Sequence, residues 1–209
     1  MSGMHPSHPL ARLQRLARRL VECTRGVAAI EFGMIVPVMF ALFVGSVEIS
    51  QAITVDRRVT QVASSTADLV SRQTTVSDTT LAGYMQIITE LLRPYDSSST
   101  ALQLSILSVY IATTDTTASN PMVCWFYDYQ GGTGSHTHNS TYTKLVGANV
   151  LTTGTSVIVA EVKYSYVGPI FRYFLPKNAP FPLSETFYLK PRLSTEVIKS
   201  DGANTKCLS

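Results

Sequence analysis

One stretch limits every fold open to this chain: the apolar run Val27–Ile53, VAAIEFGMIVPVMFALFVGSVEISQAI. Its charged residues are Glu31 and Glu48, and Phe32–Val47 between them carries none. As a helix rising about 1.5 Å per residue, the run is long enough to cross a hydrocarbon core of about 30 Å. Arg12, Arg15, Arg18, Arg19 and Arg25 precede it; Asp56, Arg57 and Arg58 follow. That positive excess predicts a single span with the N-terminal arm in the cytoplasm and the remainder outside. The same arm explains the sequence pI of about 8.8. The chain has 17 basic and 14 acidic side chains; removing the five arginines and Glu22 before Val27 leaves 12 and 13. The rest is near neutral, so the basic character gives no support to nucleic-acid binding.

Glu31 is the anomaly in the run. A carboxylate at the centre of a membrane helix costs roughly 2.5–3.5 kcal/mol on insertion scales, and less towards the ends. Three readings compete. A cleaved secretory signal would use the small residues near Val44-Gly45-Ser46, but the run is longer than a usual apolar signal core and carries the glutamate. A plain signal anchor explains the arginines and the length but leaves Glu31 as an uncompensated cost, unless it snorkels at the headgroup level. In the third, cleavage on the cytoplasmic side precedes the apolar segment, which stays as a transmembrane helix.

The residues Gly26-Val27-Ala28-Ala29-Ile30-Glu31-Phe32 favour the third. They resemble the prepilin peptidase site of Flp-type pilins: glycine before the cut, glutamate fifth after it, then an aromatic residue. The wider segment Arg25–Arg72 is similar to the TadE/TadG-like family of Tad pilus assembly proteins. The resemblance implies a cut after Gly26 and a mature chain starting at Val27, whose new ammonium lies one helical turn from Glu31. It implies that Glu31 pairs with the ammonium of a neighbouring subunit, an attraction strengthened by low dielectric. It also implies a minor pilin (pseudopilin) of a Tad pilus, acting in assembly, initiation or adhesion. The partners would be other Tad pilins and minor pilins, the prepilin peptidase, the inner-membrane assembly platform and membrane lipid. The alternative is an uncleaved inner-membrane anchor of the Tad secretion machinery. Pro37 loosens the helix midway. Gly45 and Ser46 are small enough for close helix contact, and Glu48 approaches the outer interface; with Glu31 and Pro37, Gly45 and Glu48 are the candidate subunit-assembly residues.

Beyond the run, Val55, Val59, Val62, Ala63, Thr66, Leu69 and Val70 recur at helical spacing. The helix is expected to continue into the periplasm, with a hinge near Asp56 as the alternative. TTVSD is a polar break in which Asp78 caps a second helix. That helix buries Leu81, Met85, Ile88 and Leu92 and ends before Pro94. ALQLSILSVYIA, MVCWFYDYQ, VIVAEVKYSYVG and ETFYLKPRLSTE read as strands, GGTGSHTHNSTYT as a polar loop and IFRYFLPKNAPFPL as proline-broken. The expected fold is α+β and pilin-like: a long N-terminal transmembrane helix, a second helix, and an antiparallel sheet of about four strands. The expected division is leader 1–26, transmembrane helix 27–54, helical stalk 55–93 and periplasmic α+β domain 94–209.

Cys23 lies in the arm. Cys124 and Cys207 form an even pair on the outer side, where a disulfide is favoured over free thiols. An enzyme is not expected. His136 and His138 lack a third zinc ligand nearby, His5 and His8 sit in the arm, and GGTGS lacks the lysine and helix of a phosphate loop. No cofactor or metal is expected.

Overall fold

The structure, a computed structural model, describes residues 25–115, 117, 119–145, 151–170, 180–201 and 207–208. The basic arm with Cys23 therefore lies outside the described residues, as do positions 171–179 of the proline-broken segment. The chain divides into two compact units, residues 1–49 and 50–209. One helix, α1 (Arg25–Ser71), contributes to both and is helical through Pro37 and Asp56.

In the first unit α1 exposes its apolar side chains all round. Val27, Ile30, Phe32, Met34, Val38, Phe40 and Phe43 are all open, on every face of the helix. Water does not tolerate such a surface on an isolated helix, whereas lipid does. This is a helix long and apolar enough to span a membrane once.

In the second unit α1 is one-sided. Val55, Val59, Val62, Ala63, Ala67 and Val70 are buried, three and four residues apart, while Arg57, Thr60 and Gln61 are exposed. After the short strand β1 (Thr75–Val76) comes α2 (Asp78–Thr89), continued by a 3₁₀ turn at Glu90–Leu92. The cap of α2 is Ser77 rather than Asp78: the Ser77 hydroxyl accepts from the Thr80 N–H. Asp78 sits in the first turn, where its charge suits the helix dipole, and its own N–H donates to Asp201 Oδ2. Leu81, Met85, Ile88 and Leu92 form the expected buried stripe.

The sheet has four antiparallel strands, β2 (Leu102–Tyr110), β3 (Met122–Tyr129), β4 (Ser156–Tyr166) and β5 (Phe181–Leu189), in the order β3-β2-β4-β5. The last strand starts earlier and ends sooner than the sequence reading expected. Pro182 lies inside it, opposite Ser165. A proline has no N–H for a ladder, but β5 is an edge strand, and an edge tolerates the loss. Lys190-Pro191 then ends it. The two-residue strand β6 (Ile198–Lys199) pairs in parallel with β1 and was not anticipated.

Alternation sorts the sheet into two faces. Leu102, Leu104, Ile106, Ile158, Val162 and Tyr164 join the helices in the main core. Leu107, Val109, Val157 and Val159 form a second cluster on the other face, with Tyr142 and Leu151 from the connection between β3 and β4. A bulge in β3 breaks the alternation: Ser108 faces Trp125, yet Val109 faces Val123, leaving Cys124 as the extra residue. Cys124 and Trp125, neighbours in sequence, consequently both enter the main core. Cys124 is bonded to Cys207, with a Cα–Cα distance of 5.8 Å. Trp125 Nε1 donates to the Val197 carbonyl at 2.7 Å. Buried Glu196 accepts from the N–H groups of Cys207 and Leu208, both at 3.1 Å.

The bond spans a sequence separation of 83 residues. Cys207→Ser should lower the unfolding free energy by about 4 kcal/mol on the loop-entropy account. Urea titration of Trp125 fluorescence in the detergent-extracted protein measures it, and an unchanged midpoint would refute it.

Candidate functional site

Two places concentrate chemistry: the head of α1 and the sheet face away from the helices. At the head, Val27 and Glu31 are four residues apart and thus on one side of the helix. Val27, Glu31 and Phe32 are all exposed. Gly26 opens this turn, and a Cβ built there would meet nothing within 4 Å. Packing gives no reason for glycine at 26. Gly45 is equally unconstrained in this respect, which leaves its surface open to a close-approaching helix.

Pro37 has no N–H to offer the carbonyl of Gly33, four residues earlier, and α1 continues as a helix through both. Ser46 turns inward on its own helix, its hydroxyl donating to the Phe43 carbonyl at 2.8 Å. Glu48, expected to approach the outer interface, has only 3% of its surface exposed. Glu48 is thus buried while Gly45 in the same turn is half-buried, and Glu31, six residues before Pro37, stands open.

The second place was missed from sequence. Glu161 on β4 is 2% exposed, on the face opposite the helices. The connection after β3, which reads as a solvated polar loop, folds over it. Thr133 Oγ1, Tyr142 OH and Lys144 Nζ each donate to the Glu161 carboxylate at 2.7 Å. His136 Nε2 stands 3.7 Å away, its ring 6.1 Å from that of Phe126. Ser105 links the centre to β3, donating to Asp128 Oδ1 and accepting from the Thr133 N–H. Gly132, at φ +69°, approaches Asp128 so closely that a Cβ would fall 2.5 Å from the carboxylate. One signal was available: Glu161 is the lone acid in an otherwise β-branched and aromatic strand, and a buried charge demands donors.

The arrangement ties the connection to the sheet: Thr133 and Tyr142 are buried donors to Glu161, and half-exposed Lys144 neutralises its charge. His138 is drawn elsewhere, its Nδ1 lying 2.5 Å from the Cys124 carbonyl. The two histidines of the loop thus serve different contacts. Among the described residues no three His, Cys, Asp or Glu side chains are grouped to hold a metal ion.

These features define a class: a single apolar helix fit to span a membrane, leading into an α+β unit. Residues 26–68 match the model for TadE-like protein, a match that begins on Gly26 itself. The match lies along α1, and the sheet lies beyond the matched residues. No curated protein and no solved structure is significantly similar to it.

Burial pushes the Glu161 carboxyl up, but hydrogen bonds from Lys144, Thr133 and Tyr142 and the Lys144 charge together hold it below its ordinary value of 4.5. A depressed folded value stabilises the fold above the unfolded carboxyl's ordinary value, and that contribution is lost as pH falls through the folded value. Glu161→Gln should therefore flatten the acid side of the stability curve. It should also cost about 3 kcal/mol near neutrality, since buried donors lose a charged acceptor. Urea midpoints of both proteins across the acid range test this; parallel curves would refute it.

Proposed function

We propose that the protein is a minor pilin (pseudopilin) of a Tad/Flp-type pilus, cleaved after Gly26 by a prepilin peptidase and acting in pilus assembly, initiation or adhesion. One observation carries the reading. A glycine that packing does not require stands five residues before an exposed glutamate, at the head of an all-round apolar helix. The TadE-like match starting at that glycine supports it.

On this reading residues 1–26 are a cytoplasmic leader and 27–54 cross the inner membrane. Residues 55–93 form the helical part and 94–209 the sheet-bearing part of a periplasmic domain. Cleavage gives Val27 an ammonium, and Glu31 accepts the ammonium of an incoming neighbour. In a hydrocarbon surround that pairing favours one axial offset between adjacent helices, because any other leaves a carboxylate unmet. The partners are other Tad pilins and minor pilins, the peptidase, the assembly platform and lipid. Pro37, Gly45 and Glu48 belong to the same helix and adjust how it packs beside others.

Mass spectrometry of the N-terminus, on protein extracted from cells with and without the peptidase, tests the proposal. A start at Val27 only where the peptidase is present is the expected result. Gly26→Ala should retain the leader, and because an added Cβ meets nothing, that outcome would not arise from misfolding. A leader kept in both strains would instead make the protein a permanent inner-membrane anchor. A start near Val47 would make it a secreted domain.

A further inference from the structure

The second unit has a definite polarity. At one end of the sheet, Ser156 donates to the Thr195 carbonyl, and the nearby Arg192 N–H bonds the Ser71 carbonyl at the C-terminal end of α1. At the opposite end, Arg58 of α1 lies 5.7 Å from the centre of the Tyr95 ring and donates to the carbonyls of Leu91 and Arg93. Seven residues after Tyr95, Leu102 pairs with Tyr164 of β4, and the Ser165 N–H donates to the Ala101 carbonyl. Tyr166 is in turn the cross-strand partner of Phe181. The chain therefore enters this unit along α1 at the end of the sheet that carries Tyr166 and Phe181.

That end is also where apolar side chains are left open. The exposed large apolar residues of the second unit, among those described, are Ile53, Ile87, Val167, Phe181 and Leu193. Ile53, Val167 and Phe181 belong to this end, at 50%, 53% and 62% exposure. Ile53 directly continues the apolar run, and Arg57 is exposed one turn later. Pro182, beside Phe181, brings no N–H that would need water at the edge of the sheet.

We propose that Val167 and Phe181, with Ile53, form a lipid-contact surface that seats this end of the second unit in the interfacial zone of a phospholipid bilayer. The proposal rests on the reading that α1 spans that bilayer: Ser50 follows Ile49 within one helix, so this end of the unit starts where the span stops. The chemistry fits a membrane surface. Interfacial zones favour side chains with an apolar body and take up aromatic rings at headgroup depth. Arg57, Arg58 and Arg93 are set against Asp56, Glu90 and Asp96, so no net charge selects anionic lipid. Apolar insertion drives the contact, and Arg57 is placed for phosphate oxygens whatever the headgroup. The surface gives the domain a fixed side to present to the membrane before any subunit leaves it.

Quenching by brominated phosphatidylcholine in liposomes holding the full chain tests the idea, with one tryptophan added at a time and the wild-type Trp125 signal subtracted. Phe40→Trp reports whether α1 is inserted. Phe181→Trp reports the proposed surface, and Leu193→Trp, equally exposed but near Arg192 and the far end of α1, is the control. The expected result is loss of emission and a blue shift at positions 40 and 181, and neither at 193. Quenching at 40 but not at 181 overturns this proposal and leaves the membrane span standing, as does equal quenching at 181 and 193. No quenching at 40 removes the span and the contact surface together. An emission shift at 181 that grows with protein concentration but not with bromination assigns the surface to a second copy of the chain and likewise overturns the proposal.

Discussion

The burial pattern of α1 governs everything else in this molecule. For its first seven turns the helix carries apolar groups on every side, a surface whose free energy is low only among lipid tails or other helices. From Val55 onward the same helix keeps its apolar groups on one face and gives the opposite face to Arg57, Thr60 and Gln61. The first pattern demands a membrane or an assembly. The second demands a folded partner, supplied by α2 and one face of the sheet. A helix of one pattern alone would be either a bare anchor or part of an ordinary soluble core.

The sheet answers that demand with one face and must then cover its other. It uses an irregular connection rather than a second layer of helices. An irregular segment brings unpaired backbone groups and polar side chains with it, and these are costly when buried. Glu161 resolves the conflict by collecting three donors from that connection into a single carboxylate, while Leu107, Val109 and Val157 take up its apolar residues. The buried charge is therefore what allows a serine-, threonine- and glycine-rich loop to serve as a structural layer.

Much of this was legible in the sequence. The valines of α1 and the leucine stripe of α2 follow the helical period closely, and β2, β3 and β4 announce themselves by alternation and β-branching. The misreadings have local causes. Pro182 looks like a strand breaker until the strand is known to lie at an edge. Ser77 and Asp78 are both good caps, and only three-dimensional context assigns Asp78 to the first turn. β1 and β6 are two residues each, too short to show a period, and their pairing depends on the route of the tail. Composition marks the loop after β3 as solvated because the acceptor that buries it lies about twenty residues further on. At the head of α1, Gly26, Val27, Glu31 and Phe32 came into view through their resemblance to a prepilin peptidase site, a pattern local in sequence.

The bulge at Cys124 has a bearing on the order of events in the cell. By turning two successive residues of β3 into the core, it makes that core depend on groups far along the chain: the Val197 carbonyl for Trp125 and Cys207 for Cys124. The start of α2 waits similarly for Asp201, 123 residues away. Contacts of such separation form late, after the entropy of closing long loops has been met. While a ribosome is still adding β4 and β5, the valine face of α1 lacks the completed sheet that buries it. In an emerging chain of this kind the apolar helix is complete long before its tail is made, so that helix meets its surroundings before the domain can fold, by the order of the sequence itself.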